Sequence, residues 1–196
     1  MNNNYTYIIA SIPAFSRDYS GTLQSVEEKL AFILSQLGGK DCADARLTME
    51  GFSPDKLCEE FYEKAAASRS RFVKEFFHAD LRLRNEKVKY LDRVLLRSTP
   101  TPLMPDPMQK TMDDNEEDSR RFERIFSGKD LDLLGREKAI DDFLWDKAVT
   151  LTQFEYFSLD SVLSIIARLC IIKRWLALDE TQGKEKFKKL VNELKK

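Results

Sequence analysis

Residues 154–178, FEYFSLDSVLSIIARLCIIKRWLAL, form the stretch that most constrains how this chain can fold. On a helical wheel Ser161, Ser164 and Arg168 share one narrow stripe, and apolar side chains cover nearly all of the remaining surface. A helix that is apolar on almost every side is either a membrane span or the centre of a helical domain. Charged residues interrupt its apolar runs, which are shorter than the roughly 20 residues that a span requires. The pattern therefore predicts a buried central helix surrounded by other helices.

The composition favours an all-α protein of ordinary globular type. Charged residues make up 33% and hydrophobic residues 42% of the 196 residues, and glycine and proline are few. The net charge of −1 gives no global field that would recruit nucleic acid or an anionic membrane. Cys42, Cys58 and Cys170 are odd in number and widely spaced, which predicts reduced thiols rather than a disulfide framework. The N-terminal residues lack the pattern of a signal peptide, so we expect a cytoplasmic protein.

Two helical halves are predicted, together forming one compact bundle around the central helix. Residues 1–97 form the first half, and residues 120–196 form the second half, which contains the central helix. Residues 98–119 join them as a linker in which prolines forbid a helix and an acidic run is expected to be solvated. The prolines are Pro100, Pro102, Pro105 and Pro107, and the acidic residues are Asp113, Asp114, Glu116, Glu117 and Asp118.

Local signals predict where several elements begin and end. Residues 5–12, YTYIIASI, favour a short extended N-terminus, and Ser25 with Glu28 forms a capping box at the start of a helix. Residues 78–80 indicate a helix boundary, at which Asp80 caps a second helix. A later helix, which spans about residues 130–151, is expected to bury its leucines. Asp179 and Gln182 are predicted to cap a last helix.

A weak internal sequence repeat suggests that the two halves are related. Phe76-Phe77 precedes Asp80 at the same spacing at which Tyr156-Phe157 precedes Asp160, and each aromatic pair is followed by an apolar helix. This spacing predicts a repeat in which an aromatic pair leads into a long helix.

No catalytic motif stands out, so we expect a protein that is not an enzyme and has no catalytic, cofactor-binding or metal-binding residues. Glycine-rich nucleotide loops and the HExxH metal motif are missing from the sequence. His78 is the only histidine, and a structural or exposed role is expected for it. Arg168 is charged among apolar residues, which predicts an ion pair with a carboxylate on another helix or a snorkelling side chain; the alternative is a contact with a binding partner.

The segment 64–97 is locally basic, with ten Lys or Arg and four Asp or Glu. A solvated basic face is the expected interpretation, followed by a surface that docks an acidic protein or the acidic linker of this chain. The alternative is a free-standing helical adaptor or a nucleic-acid-binding protein, because aromatic side chains are interleaved with the cations. The cations of this alternative are Arg82, Arg84, Lys87, Lys89 and Arg93.

Three stretches resemble an uncharacterised bacterial family that is encoded beside subunits of V/A-type ATPases. They are the pattern Tyr5-x-Tyr7-x-x-Ala10-Ser11-x-Pro13, residues 68–87 and residues 135–187. More distantly, the chain is similar to the collar subunit of these ATPases, an all-helical, non-catalytic protein that sits between the membrane rotor and the central stalk. Asn85 stands where helices of that collar protein often carry an asparagine.

The resemblance implies a non-catalytic peripheral or accessory subunit, a helical spacer between the rotor and the stalk. Its partners would be protein subunits of the ATPase, and membrane association would be indirect, at the inner face of the plasma membrane. Neither nucleic acid nor a small-molecule substrate is favoured as a partner. The residues predicted to contact a partner are Arg82, Arg84, Asn85, Lys87, Lys89, Arg93 and Arg168.

Overall fold

The computed structural model describes residues 4–17, 21–112, 115–127 and 131–178, and within these residues it contains eight α-helices and no strand. This confirms the predicted all-α class. A short 3₁₀ turn at Pro54–Lys56 precedes the fourth helix. The helices are α1 (Tyr5–Ser11), α2 (Leu23–Gln36), α3 (Gly39–Glu50), α4 (Glu59–Ala67), α5 (Arg71–Val94), α6 (Glu116–Ser127), α7 (Leu133–Thr150) and α8 (Leu159–Leu176).

The helix α8 is the centre of the bundle, as the sequence predicts. It packs against α1, α2, α3, α5 and α7, and an unbroken run of its residues, 161–167, is buried. Ser164 lies in this run, and its hydroxyl donates to the carbonyl of Ala148 on α7 at 2.7 Å. None of the described helices combines the length and the apolar character needed to cross a membrane. Residues 154–158, which belong to the predicted central stretch, precede the helix instead.

The helix α5 is the longest described element and runs unbroken through the predicted boundary at residues 78–80. That prediction is wrong because the carboxylate of Asp80 is buried and serves tertiary partners. It accepts hydrogen bonds from the Tyr62 hydroxyl at 2.8 Å and from Nε of Arg84 at 2.8 Å. The break lies earlier, where Ser70 caps α5 by accepting from the backbone N–H of Val73 at 3.1 Å.

The N-terminal prediction of an extended segment is also wrong, because residues 5–11 form α1. A lone strand would leave its backbone donors and acceptors unpaired, whereas a helix satisfies them internally and buries Ile8 completely. The Asn4 side chain caps α1 by accepting from the N–H of Tyr7 at 3.0 Å. At α2 the cap is Thr22, whose hydroxyl accepts from the N–H of Ser25 at 3.2 Å, so the predicted capping box at Ser25 does not form.

The proline-rich segment, residues 98–112, packs against α5. Asn85 holds Met104 through two hydrogen bonds, of 2.9 Å to its carbonyl and 3.1 Å from its N–H. Met108 is buried. The acidic run is not solvated throughout, because Asp118 is buried in the first turn of α6 and accepts from Nζ of Lys147 at 2.7 Å. Asp113 and Asp114 lie outside the described residues, as do Asp179 and Gln182 of the predicted last helix.

The apolar core joins residues from both predicted halves in one cluster, including Phe72, Phe143 and Leu163. The predicted repeat, in which an aromatic pair leads into a long helix, is wrong. Phe76 and Phe77 are buried within α5, whereas Tyr156 and Phe157 are exposed before α8. Leu133 and Leu134, which were expected to be buried, are exposed in the first turn of α7.

Candidate docking surfaces at the two ends of helix α5

Three of the predicted partner contacts form ion pairs within the fold. The Nε atom of Arg84 lies 2.8 Å from Asp80, Nζ of Lys89 lies 2.6 Å from Glu86, and Lys87 pairs with Glu137 on α7. Burial alone would lower the pKa of Arg84, but the Asp80 carboxylate raises that pKa above its usual value. These cations therefore stabilise charges of the protein itself.

Four of the predicted residues line one groove between α5, the proline-rich segment and α6, with a volume of about 710 Å³. Arg82 donates to the Ser119 hydroxyl at 2.8 Å and lies over the ring of Phe122 at 5.6 Å. The structure thus brings together part of the predicted set, but it places Arg168 elsewhere. The groove residues of that set are Arg82, Asn85, Lys89 and Arg93.

Arg168 is held by aromatic rings rather than by a carboxylate. Its guanidinium lies 5.0 Å from the ring centroid of Phe15 and 5.6 Å from that of Trp145, and its Nε donates to the carbonyl of Ser164 at 3.3 Å. Burial lowers the pKa of Arg168. Among the described residues no carboxylate lies within ion-pair distance of it, so the predicted ion pair is wrong there.

An aromatic turn, residues 151–158, lies between α7 and α8 and was not among the predicted site residues. Its side chains are unusually exposed, at 83% for Phe154, 71% for Tyr156 and 61% for Phe157. Ser158 caps α8 by accepting from the N–H of Ser161 at 3.2 Å. A serine directly before an apolar helical run is a helix-start signal, and Ser158 before Leu159 would have separated these aromatics from the central helix.

Hydrogen bonds from α5 and α8 fix this turn. One nitrogen of Arg71 donates to the carbonyl of Leu151 at 3.0 Å and to Oε1 of Glu155 at 2.7 Å. The Ser158 hydroxyl donates to Oε2 of Glu155 at 3.0 Å, and the Ser161 hydroxyl donates to the Glu155 carbonyl. The exposed aromatics therefore project from a braced backbone.

Asp160 ties the turn to the first residues of α5. Its Oδ1 accepts from the Ser70 hydroxyl at 2.7 Å, and its Oδ2 accepts from the backbone N–H of Phe72 at 3.2 Å. The N–H groups at a helix start have no partner within the helix, so a carboxylate from another helix satisfies one of them and complements the helix dipole. The aromatic turn and the N-terminal end of α5 thus form one unit.

The opposite end of α5 carries a second exposed apolar surface, here called the aliphatic tip. It comprises Leu91, Val94, Leu95, Leu96 and Leu103. Leu96 is 88% exposed, and the other four side chains are between 40% and 56% exposed. A cavity of about 750 Å³ lies beside the tip, and Lys89, Arg93 and Arg97 contribute to its lining.

Leu96 combines this exposure with an unfavourable backbone conformation. Its φ is 49°, in the left-handed region that glycine adopts without strain. The backbone forms a Schellman motif, in which Leu96 N donates to the Arg93 carbonyl at 3.3 Å and Arg97 N donates to the Asp92 carbonyl at 3.1 Å. A leucine at this position is both strained and exposed. Strained residues of this kind cluster at functional sites.

The two surfaces are separated by the length of α5. Its 24 residues correspond to about 36 Å at 1.5 Å per residue.

His78, in the middle of the helix, is buried with Nδ1 2.8 Å from Oδ2 of Asp106 on the proline-rich segment. Within the part of the chain that the structure describes, no group of three or more metal-ligating side chains converges. Both ends of α5 thus present exposed apolar surface, and a further exposed apolar patch lies at Leu133, Leu134 and Leu178.

These features define an all-helical protein that exposes apolar side chains at both ends of its longest helix. Residues 31–196 match the model of a family described as a protein of unknown function, DUF2764. The chain belongs to this family. A search of curated proteins and a search of solved structures each found no match.

Proposed function

We propose that this chain is a non-catalytic accessory subunit of a V/A-type ATPase, a helical spacer that docks on another subunit through the aromatic turn. The observation that carries the docking role is the exposure of Phe154, Tyr156 and Phe157 on a turn fixed by Arg71 and Glu155. The assignment to this class of ATPase rests on the sequence resemblance described above.

The aromatic turn has the properties of a protein-binding hot spot. Aromatic side chains are enriched among the residues that dominate binding energy, and two rotatable bonds limit the entropy that each loses. Because hydrogen bonds already order the turn in the free protein, little backbone freedom remains to be lost on binding. A partner with an apolar pocket for one or more of these rings fits this surface.

A spacer also requires a rigid body, and ion pairs between helices favour one. Lys87 joins α5 to Glu137 on α7, and Lys147 on α7 joins Asp118 on α6. Both Lys147 and Asp118 are largely buried, so solvent screens their attraction less than that of a surface pair. Such a body would pass a load between its two ends without any contact between this chain and ATP.

The alternative nucleic-acid role of segment 64–97 receives less support from the geometry. Phe72, Phe76 and Phe77 are buried and have no free face on which a base could stack. The ring of Tyr90 lies 5.7 Å from that of Phe126, with Arg136 over it at 4.7 Å. We therefore favour the protein-docking role.

The test is co-purification of the tagged chain with the ATPase from its native bacterium in mild detergent. The wild type is expected in the intact complex, and a triple variant with Phe154→Ser, Tyr156→Ser and Phe157→Ser is expected to be lost from it. A matched control with Leu133→Ser and Leu134→Ser changes comparably exposed apolar residues at another site and should remain bound. Absence of the wild-type chain from the intact complex would refute the proposal.

A further inference from the structure

We infer that the aliphatic tip binds an anionic lipid surface directly. The aliphatic side chains would enter the boundary between headgroups and acyl chains, while Lys89, Arg93 and Arg97 contact the anionic headgroups. This inference is independent of the aromatic turn and of the ATPase assignment. The sequence resemblance implies that the chain reaches the membrane only through its protein partners. In the present inference the chain contacts the lipid itself.

The apolar half of the argument rests on Leu96. A leucine that is both exposed to water and held at a left-handed φ brings no benefit to the fold, because glycine would remove the strain and the exposed apolar surface together. Val94 and Leu95, also more than half exposed, precede it, and Leu103 from the proline-rich segment extends the same surface. These side chains protrude from the end of a helix, so they can enter a soft surface without a preformed pocket.

The charged half of the argument is the rim of the tip, where Lys89, Arg93 and Arg97 outnumber the carboxylates of Glu86 and Asp92. Arg93 is exposed, and the side chains of Lys89 and Arg97 are about half exposed. Asp92, the nearest acidic residue, lies 3.4 Å from a guanidinium nitrogen of Arg97 and forms an ion pair with it. Its carboxylate accepts from the Thr101 N–H at 2.6 Å and from the Thr101 hydroxyl at 2.7 Å.

Glu86 is the other acidic residue of this rim, and Lys89 pairs with it. These two ion pairs leave Arg93 as the excess positive charge of the rim, although the whole chain carries a net charge of −1. Basic side chains at the edge of an apolar surface complement anionic phospholipid headgroups.

Lipid fits the tip better than a protein partner does. The tip residues include no aromatic side chain, and leucine and valine are under-represented among protein hot spots. The exposed aromatics lie instead at the far end of α5. A protein bound to lipid through the tip would hold its aromatic turn about 36 Å along the helix from the tip, where a partner can reach it.

The experiment is co-sedimentation of the full chain with vesicles, either of phosphatidylcholine alone or of equal parts of phosphatidylcholine and phosphatidylglycerol. Because the rim carries an excess of one positive charge and each basic residue contributes about 1 kcal/mol at an anionic surface, the anionic vesicles should bind roughly 5-fold more tightly. High salt should remove most of that preference. Binding to neither vesicle would overturn the inference.

Variants locate the contact. Leu96→Gly, which the backbone accommodates, should weaken binding to anionic vesicles by about 10-fold, as expected for partial loss of a buried leucine. Combined Arg93→Gln and Arg97→Gln should remove most of the preference for anionic vesicles. The triple aromatic-turn variant should bind like the wild type. Vesicle binding that is lost in the aromatic variant and kept in Leu96→Gly would refute the tip as the lipid contact, whatever the outcome of the ATPase co-purification.

Discussion

The two ends of α5 both expose apolar side chains to water, but they hold them in different ways. At the N-terminal end, Asp160 and Arg71 satisfy the local backbone and leave rings projecting from a fixed turn. At the C-terminal end, Leu96 occupies a backbone conformation that disfavours it. One end is ordered by polar contacts, and the other carries local strain.

This difference suggests different partners for the two ends. Ordered rings suit a protein pocket, because the pocket must match a defined shape. Aliphatic side chains with a basic rim suit a lipid surface, which adapts to them and supplies negative charge. An exposed apolar residue is thus informative only together with the chemistry around it and the way its backbone is held.

The largest expected effect on stability comes from removing the Asp160 carboxylate, whose hydrogen bonds fix the aromatic end. In Asp160→Ala, the Ser70 hydroxyl and the Phe72 N–H lose their acceptor. Leaving partly buried donors unsatisfied should lower the free energy of unfolding by about 2–3 kcal/mol, measured by urea denaturation.

The matched control is Asp160→Asn, whose amide oxygen can still accept one of the two hydrogen bonds. It should lose less than half as much stability. If Asp160→Ala is as stable as the wild type, the aromatic end is not braced and the contrast between the two ends fails.

The second effect is the pH dependence of stability, which arises at Asp141, away from both ends of α5. It determines at which pH the stabilities of variants at the two ends can be compared. Asp141 on α7 is buried, accepts a hydrogen bond from Nε1 of Trp175 at 2.7 Å and forms an ion pair with a nitrogen of Arg174 at 2.7 Å. Burial raises the pKa of Asp141 to about 6, although Arg174 and Trp175 lower it. A carboxyl whose pKa is higher in the folded state stabilises the fold at low pH, and that contribution is lost as the pH rises through the folded pKa.

The wild type should therefore gain stability relative to Asp141→Asn as the pH falls from 7 towards 4, by on the order of 2 kcal/mol. Urea denaturation of both proteins across this range measures the difference. A difference that does not change with pH would show that Asp141 does not titrate there, and the two ends could then be compared at any pH.

The fold was largely accessible from the sequence, since apolar periodicity alone identifies α8 as the central helix. The errors fell where tertiary contacts outweigh local signals. Asp80 has the sequence context of a cap, yet Tyr62 and Arg84 hold its carboxylate within a continuous helix. Residues 5–12 have a strand-like composition, but no second strand was available to pair with them among the residues that the structure describes.

The candidate site was harder to predict from the sequence than the fold. Four of the predicted residues line one groove, but Lys87 and Arg84 pair within the fold because of carboxylates that lie on other turns and helices. The aromatic turn was missed because hydrophobicity predicts burial, and exposure is decided by the packing of the whole chain. Leu96 was missed because a Schellman motif is normally recognised by its glycine.

A smaller effect sharpens the contrast at the aliphatic tip. Leu96→Gly should raise the free energy of unfolding by up to about 1 kcal/mol, because it relieves a left-handed φ at which leucine is strained. Thermal denaturation measures this change. The control is Leu95→Gly one residue earlier, where φ is −85° and glycine offers no relief.

That control should lower stability by about 0.5–1 kcal/mol, since glycine loses more conformational freedom on folding. Equal destabilisation by the two glycines would mean that Leu96 is not strained, and the difference between the ends would reduce to side-chain chemistry.

The smallest expected effect on stability is at the exposed rings themselves. Phe154→Ser and Phe157→Ser should each change the free energy of unfolding by no more than about 0.5 kcal/mol, because both side chains are already mostly in water. The same variants should weaken binding to the protein partner by about 10-fold or more, measured with the purified complex.

The comparison with Asp160→Ala separates the role of the rings from that of the contacts that fix the turn, because Asp160→Ala is expected to reduce stability and binding together. If the serine variants destabilise the protein as much as Asp160→Ala does, the rings pack in solution and form part of the core. If they leave binding intact while Asp160→Ala weakens it, the partner recognises the turn backbone rather than the aromatic side chains.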